Sequence, residues 1–157
     1  MRRVLILCTG NSCRSQMADG LLSSFSPETK VYSAGTNPEK VNPYAIKAMD
    51  QIGIDISENV SNHVDEYMDI AFDYVFTVCD NAKEICPVYP KAKKMIHHSF
   101  IDPADATGTE KEQLAVYVKV RDQLSDYFKD FVKNFKNYLS YFYALCHNNV
   151  IYTYGFF

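Results

Sequence analysis

Residues 4–18 read VLILCTGNSCRSQMA, an apolar run that ends on a thiol, turns through small polar residues and resumes past an arginine. Val4 to Leu7 is short, apolar and partly β-branched, the pattern of a strand buried on both faces. From Ser15 the chain turns to helix-favouring residues, and the pattern predicts a helix over 15–25. Cys8 then closes a strand and Arg14 stands in the first turn of the next helix. In that arrangement the backbone N–H groups of Thr9, Gly10, Asn11, Ser12, Cys13 and Arg14 converge on one concavity at a helix N-terminus, which is an anion site. The same dipoles stabilise a thiolate, so a nucleophile and a tetrahedral oxyanion would share the cup. A cysteine in an apolar strand is usually a packing residue, and Cys13 is read that way. Packing gives no reason for the Gly-Asn-Ser-x-Arg that follows Cys8, so Cys8 and Arg14 are read as functional.

Outward from this stretch, strand and helix patterns alternate. Lys30–Ala34 is a second strand, closed by Gly35, and Asn42-Pro43 opens a helix that runs to Ile52 and stops at Gly53. A short helix is expected over Val64–Ile70, a third strand over Tyr74–Cys79 and a fourth over Lys93–Phe100. After the loop IDPADATGT a long helix starts near Thr109, where Thr-Glu-Lys-Glu makes a capping box with Glu112. Strands separated by helices predict an α/β fold, a four-stranded parallel sheet flanked by helices in three layers with right-handed crossovers. Sites in such sheets collect at the carboxyl ends of the strands, so Cys8, Cys79 and the loop after the fourth strand should converge on one edge.

Composition narrows the classes. A chain of 157 residues with 47% hydrophobic and 22% charged residues fits one globular domain with a sizeable core. A net charge of −3 gives no general affinity for nucleic acid or an anionic membrane. The start lacks the apolar core and cleavage site of a signal peptide, no stretch is long enough to span a membrane, and a cytoplasmic location is expected. In that compartment five cysteines point to thiol chemistry or metal rather than a disulfide scaffold. With no Cys-x-x-Cys and no spaced His pair, no metal site is expected. His97-His98 lie in a strand-like segment, face opposite sides and are read as structural.

CDNAKEIC places Cys79 and Cys86 seven residues apart, starting at a strand end. On one helix face two such cysteines would stand about 10 Å apart. A disulfide needs Cα atoms within about 7 Å, so either the pair never bonds or the segment rearranges on oxidation. Beside an activated Cys8 at the same edge, a redox role is preferred over two unrelated buried thiols. Asp102-Pro103 is ordinary turn chemistry by itself. Its place opposite the cup makes Asp102 the candidate proton donor.

LCTGNSCRSQMADG, YSAG, NPYAIKAM, IGIDIS, VFTVCDNAKEICP and FIDPADATGTEKE resemble, in order and spacing, the thioredoxin-coupled arsenate reductases, which are built on the low-molecular-weight protein tyrosine phosphatase fold. The resemblance covers about residues 3–133. The anion loop is common to the phosphatases, whereas the spaced cysteine pair and Gln16 after Arg14-Ser15 point to the reductase branch. The resemblance implies that Cys8 attacks arsenate held by the loop amides and Arg14, with Ser15 stabilising the thiolate and Asp102 protonating the departing oxygen. It further implies that Cys79 attacks the Cys8–arsenic adduct, releasing arsenite and leaving a Cys8–Cys79 disulfide, and that Cys86 resolves this bond before thioredoxin reduces the Cys79–Cys86 pair. No bound cofactor is implied, only reduced thioredoxin as electron donor.

Some family members hold potassium near the loop. Here Asn11, Asp19 and Ser33 occupy matching places, but Val60 and Asn62 stand where a hydroxyl and a carboxylate would be needed. A tyrosine phosphatase using Cys8, Arg14 and Asp102 is the rival activity, although Ala104-Asp105-Ala106 replace the aromatic residues that usually stack on its substrate. A non-catalytic thiol switch is a third reading. The family pattern ends near residue 134, dividing the chain into a domain over 1–134 and an aromatic-rich extension over 135–157. Apolar residues at Leu124, Phe128, Phe131, Phe135, Tyr138, Phe142 and Leu145 form a heptad seam running into that extension, which reads either as an accidental extension or as an interface for self-association.

Overall fold

The computed structural model describes residues 1–79 and 89–147, with the side chains of the last helix described as far as Phe135; Cys86 and residues 148–157 lie outside the described residues. Four strands, β1 (Arg2–Cys8), β2 (Thr29–Gly35), β3 (Phe72–Thr77) and β4 (Ala92–His97), pair in parallel in the order β2-β1-β3-β4. The order reverses direction between β1 and β3, and in a sheet of this kind the crevice outside that pair is the place for a ligand.

β1 explains the layers. Val4, Ile6 and Cys8 face one cluster, where they pack with α1 (Arg14–Phe25), α2 (Pro43–Asp50) and α3 (Glu110–His147). Leu5 and Leu7 face the other, with Ala34, Val64, Phe72, Val75 and Tyr89. A strand buried on both sides needs apolar residues at every position, which is the run read at Val4–Leu7. The α3 side is closed by Tyr117, Val120, Leu124 and Phe128, all almost fully buried. Phe128 and Phe131 meet the edge of the Phe76 ring at centroid separations of 5.2 and 4.9 Å.

Several element ends differ from expectation. The third strand is two residues earlier at its end, so Cys79 lies past the ladder; only the Val78 N–H continues it, donating to the Leu7 carbonyl at 3.0 Å. The fourth strand stops at His97 instead of Phe100, because the His98 N–H makes its rung with the Thr77 carbonyl and the chain then leaves the sheet. Val64–Tyr67 is one 3-10 turn rather than a helix to Ile70, capped by His63 and Glu66 in a reciprocal box. α2 ends at Asp50, and Gly53 takes φ +75° in the turn that follows. The capping box at Thr109 and Glu112 forms as read, with the Thr109 N–H donating to the Glu112 carboxylate at 2.8 Å. α3 runs as one 38-residue helix across position 135. No helix among the described residues is long and apolar enough to cross a membrane.

Candidate active site

The loop from Thr9 to Cys13 is built by its carbonyls. Asn37 N–H donates to the Thr9 carbonyl at 2.9 Å, Glu39 N–H to Gly10 at 2.7 Å and Asn42 N–H to Ser12 at 2.9 Å. The Ser61 hydroxyl donates to the Asn11 carbonyl at 2.6 Å. Each planar peptide holds its N–H opposite its C=O. Four carbonyls bound outward therefore turn the amides of Gly10, Asn11, Ser12 and Cys13 toward the centre of the loop. Asn11 N–H fulfils this by donating to Cys8 Sγ at 3.1 Å. Asn11 sits at φ +46°, a region an asparagine tolerates, and its side chain fixes it there. Its amide nitrogen donates to Ser15 Oγ at 2.8 Å, and its carbonyl oxygen accepts from Asn62 N–H at 2.9 Å.

α1 begins directly behind this loop with no side-chain cap and no acidic residue in its first turn. Its first N–H groups and the positive end of its dipole remain open to an anion. Cys8, 5% exposed, lies 2.9 Å from Ser15 Oγ, and Arg14 is 3% exposed. Arg14 splits its fork: one nitrogen donates to the Phe100 carbonyl at 3.1 Å and the other to Asp102 Oδ2 at 2.6 Å. Asp102 also caps the Pro103–Asp105 turn, accepting from Ala104 N–H at 3.0 Å. A recess of about 190 Å³ is lined by Cys8, Thr9, Gly10, Ser12, Cys13, Arg14, Asp102 and, at its rim, Glu39 and Ala104. It has the size and charge for a small tetrahedral oxyanion.

Cys13 packs in the core as read, yet it also lines the recess, and its sulfur lies 3.5 Å from the Tyr117 hydroxyl. Burial pushes its thiol up to about 11, which keeps it protonated beside Cys8. Burial likewise pushes the Tyr117 phenol upward. Cys79 is 4% exposed at the carboxyl end of β3. Since Leu7 pairs with Thr77, the register sets Cys79 one residue beyond the position opposite Cys8, on the strand next to it. Cys86 falls outside the described residues. Gln16 is fully buried and ties α1 to the segment behind the loop, accepting from Asn59 Nδ2 at 3.0 Å and donating to the Val60 carbonyl at 3.3 Å.

Of the potassium candidates, Asp19 and Ser33 come together, with Ser33 Oγ donating to Asp19 at 3.0 Å. The Asn11 side-chain oxygen accepts from Asn62 N–H, and Val60 brings no side-chain oxygen. Among the described residues no group of three or more His, Cys, Asp or Glu could hold a metal ion.

The wiring by the N–H groups of Asn37, Glu39 and Asn42 escaped the sequence reading because backbone partners leave no residue-type signal, and the Ser61 hydroxyl because a lone serine in a polar stretch carries none. The Asn-Pro cap of α2 was the available hint, since it fixes where the segment before it must pass.

A parallel sheet with a thiol and an arginine closing an oxyanion loop at its switch point defines a cysteine-dependent phosphoryl- or arsenyl-handling protein. The chain belongs to the low molecular weight phosphotyrosine protein phosphatase family, which it matches over residues 3–138. Curated relatives include the arsenate reductase of Halalkalibacterium halodurans, 46% identical over 85% of this chain and 96% of its own length, and that of Bacillus subtilis, 44% identical over the same shares. A solved structure of an arsenate reductase in the phosphate binding state superposes with a TM-score of 0.73 at 28% identity, covering 85% of this chain and 98% of the other.

Proposed function

We propose that this protein reduces arsenate to arsenite through Cys8, Cys79 and Cys86, with reduced thioredoxin as electron donor. The observation that carries the reading is a buried thiol outside the loop, Cys79, just past the end of the strand paired with that of Cys8. Hydrolysis of a phosphate ester needs no such group. The naming of the curated relatives as arsenate reductases supports the same choice.

In the proposed cycle, arsenate displaces Asp102 from Arg14 and is held by the loop amides and both guanidinium nitrogens. The Cys8 thiolate attacks arsenic and an oxygen departs as water with a proton from Asp102, leaving Cys8 bonded to As(V). The Cys79 thiolate then attacks Cys8 Sγ. The S–S bond forms as the S–As bond breaks, and its electron pair stays on arsenic, which leaves as arsenite. Cys86 attacks Cys79, freeing Cys8, and the dithiol of thioredoxin reduces the Cys79–Cys86 bond. Ser15 and Asn11 N–H hold the Cys8 sulfur in place throughout. We place the chemistry in the domain over 1–134 and assign self-association to the extension over 135–157; the cytoplasm is the compartment that supplies the reductant.

The test is arsenate turnover with thioredoxin and its reductase, run beside hydrolysis of an aryl phosphate. Cys79→Ala should lose arsenate turnover and keep the hydrolysis. Equal loss of both marks Cys79 as structural and returns the assignment to a phosphatase.

A further inference from the structure

We propose that Ser99, oriented by His97, positions Cys79 for its attack on Cys8, an inference that rests on Cys79 being the second thiol of the arsenate relay. Beyond Val78 the β1–β3 ladder is finished, so something else must hold the main chain at Cys79. Ser99, two residues past the end of β4, does so: its hydroxyl donates to the Cys79 carbonyl.

The hydroxyl is itself placed by a chain with a single direction. Ser99 has one hydrogen, given to Cys79, so toward His97 it can only accept. His97 Nε2 lies 3.2 Å from Ser99 Oγ and must carry the hydrogen. In the neutral ring Nδ1 is then bare and accepts from the Thr77 hydroxyl 2.7 Å away. Thr77 is 3% exposed and pairs with both Leu7 and His97 in the sheet, so it roots the chain. The order is Thr77 to His97 to Ser99 to Cys79, from the rigid end of β3 across β4 and back to the thiol that must move. In this step the Cys79–Cys8 S–S bond forms and the Cys8–As bond breaks, reducing As(V) to As(III). Holding the Cys79 carbonyl limits where its sulfur can swing, and restriction of the nucleophile is a direct contribution to the rate of such a step. His97 and Ser99 touch no reacting atom and are positioning residues.

The experiment follows one turnover with arsenate in a Cys86→Ala background and maps the Cys8–Cys79 disulfide by mass against time. Ser99→Ala should form it about fivefold more slowly, the weight of one ordinary hydrogen bond. Ser99→Thr, which keeps the hydroxyl, should restore the rate. His97→Ala should slow it and add nothing to Ser99→Ala, while aryl phosphate hydrolysis stays unchanged in every variant. Nitrogen-15 NMR should find His97 in the Nε2–H tautomer at neutral pH. An unchanged or faster rate in Ser99→Ala, an Nδ1–H tautomer, or a parallel fall in hydrolysis overturns the proposal. The relay reading fails separately, by normal arsenate turnover in Cys79→Ala.

Discussion

Gly35 ends β2 directly under the loop, and a Cβ there would collide with the Thr9 carbonyl oxygen and lie 2.9 Å from the Asn11 nitrogen. Both neighbours are backbone, held by their own hydrogen bonds, so neither can retreat. Gly35→Ala should destabilise the protein by about 3 kcal/mol and abolish aryl phosphate hydrolysis, read by urea unfolding and a steady-state assay. Retention of both means the loop has more room than its wiring implies. Asp19 makes a different demand. Burial pushes its carboxyl upward against the hydroxyls of Ser33 and Ser23. A carboxyl raised in the folded state binds more protons folded than unfolded, so stability falls as pH rises from about 4 through the raised value. Asp19→Asn should remove that fall and leave the protein at least as stable as the parent at pH 7. Equal slopes for both proteins in unfolding titrations from pH 4 to 7 count against it. Cys8, Arg14, Ser15 and Asp102, which the structure brings together, were legible as candidates because chemistry of this kind calls for particular residue types. The function of Gly35 was not, since a glycine chosen for clearance looks like one chosen for a turn.

Strand positions were legible from β-branched and apolar runs, while their ends were not. The run Tyr74-Val75-Phe76-Thr77-Val78-Cys79 stays apolar past the ladder because Val78 and Cys79 remain buried beneath the site, and burial rather than pairing sets composition. At the other end β3 starts two residues before the expected Tyr74, at Phe72-Asp73, where a charge hides a strand. Asp73 has a reason to be there. It accepts from Arg3 N–H at 2.9 Å and from Lys93 Nζ at 2.7 Å, joining β1, β3 and β4 at their amino ends. The Lys93 hydrogen bond, with help from Arg3, holds its carboxyl below the usual range. A depressed carboxylate stabilises above its unfolded value and loses that contribution as pH falls through the folded one. Asp73→Asn should cost less than about 1 kcal/mol at pH 7, the scale of a largely solvated pair, and progressively less as pH falls through the folded value. A cost independent of pH would assign the effect to packing. His97 and His98, read as structural and facing opposite ways, divide their work accordingly: His98 stacks on Tyr127 of α3 at 4.4 Å, and His97 turns to Thr77 and Ser99.

At the scale of the whole molecule, α3 binds the sheet from Tyr117 to Phe128 and then continues, with Phe135 under the Arg2 guanidinium and against the edge of Tyr74. The site residues placed here come from the loop after β1, the segments at 36–42 and 59–62, the ends of β3 and β4, and the Asp102 turn, with Tyr117 the contribution of α3. A chain ending at Lys133 should therefore stay folded, lose about 1 kcal/mol with the Phe135 contacts, and keep its arsenate chemistry. It should be monomeric where the full chain self-associates, and light scattering on the two proteins decides this. The loop, finally, is wired by its outward carbonyls to Asn37, Glu39, Asn42 and Ser61. A cup so fixed answers to charge and tetrahedral shape, and arsenate and phosphate present nearly the same of each. Affinity then cannot be where the two are told apart. Phosphate should then compete with arsenate for the cup, and fidelity falls to the later moment when sulfur hands an electron pair to the bound atom, which arsenic(V) accepts from a thiol and phosphorus(V) refuses. Arsenate turnover should therefore follow the ratio of the two anions rather than arsenate alone, read by adding phosphate at fixed arsenate.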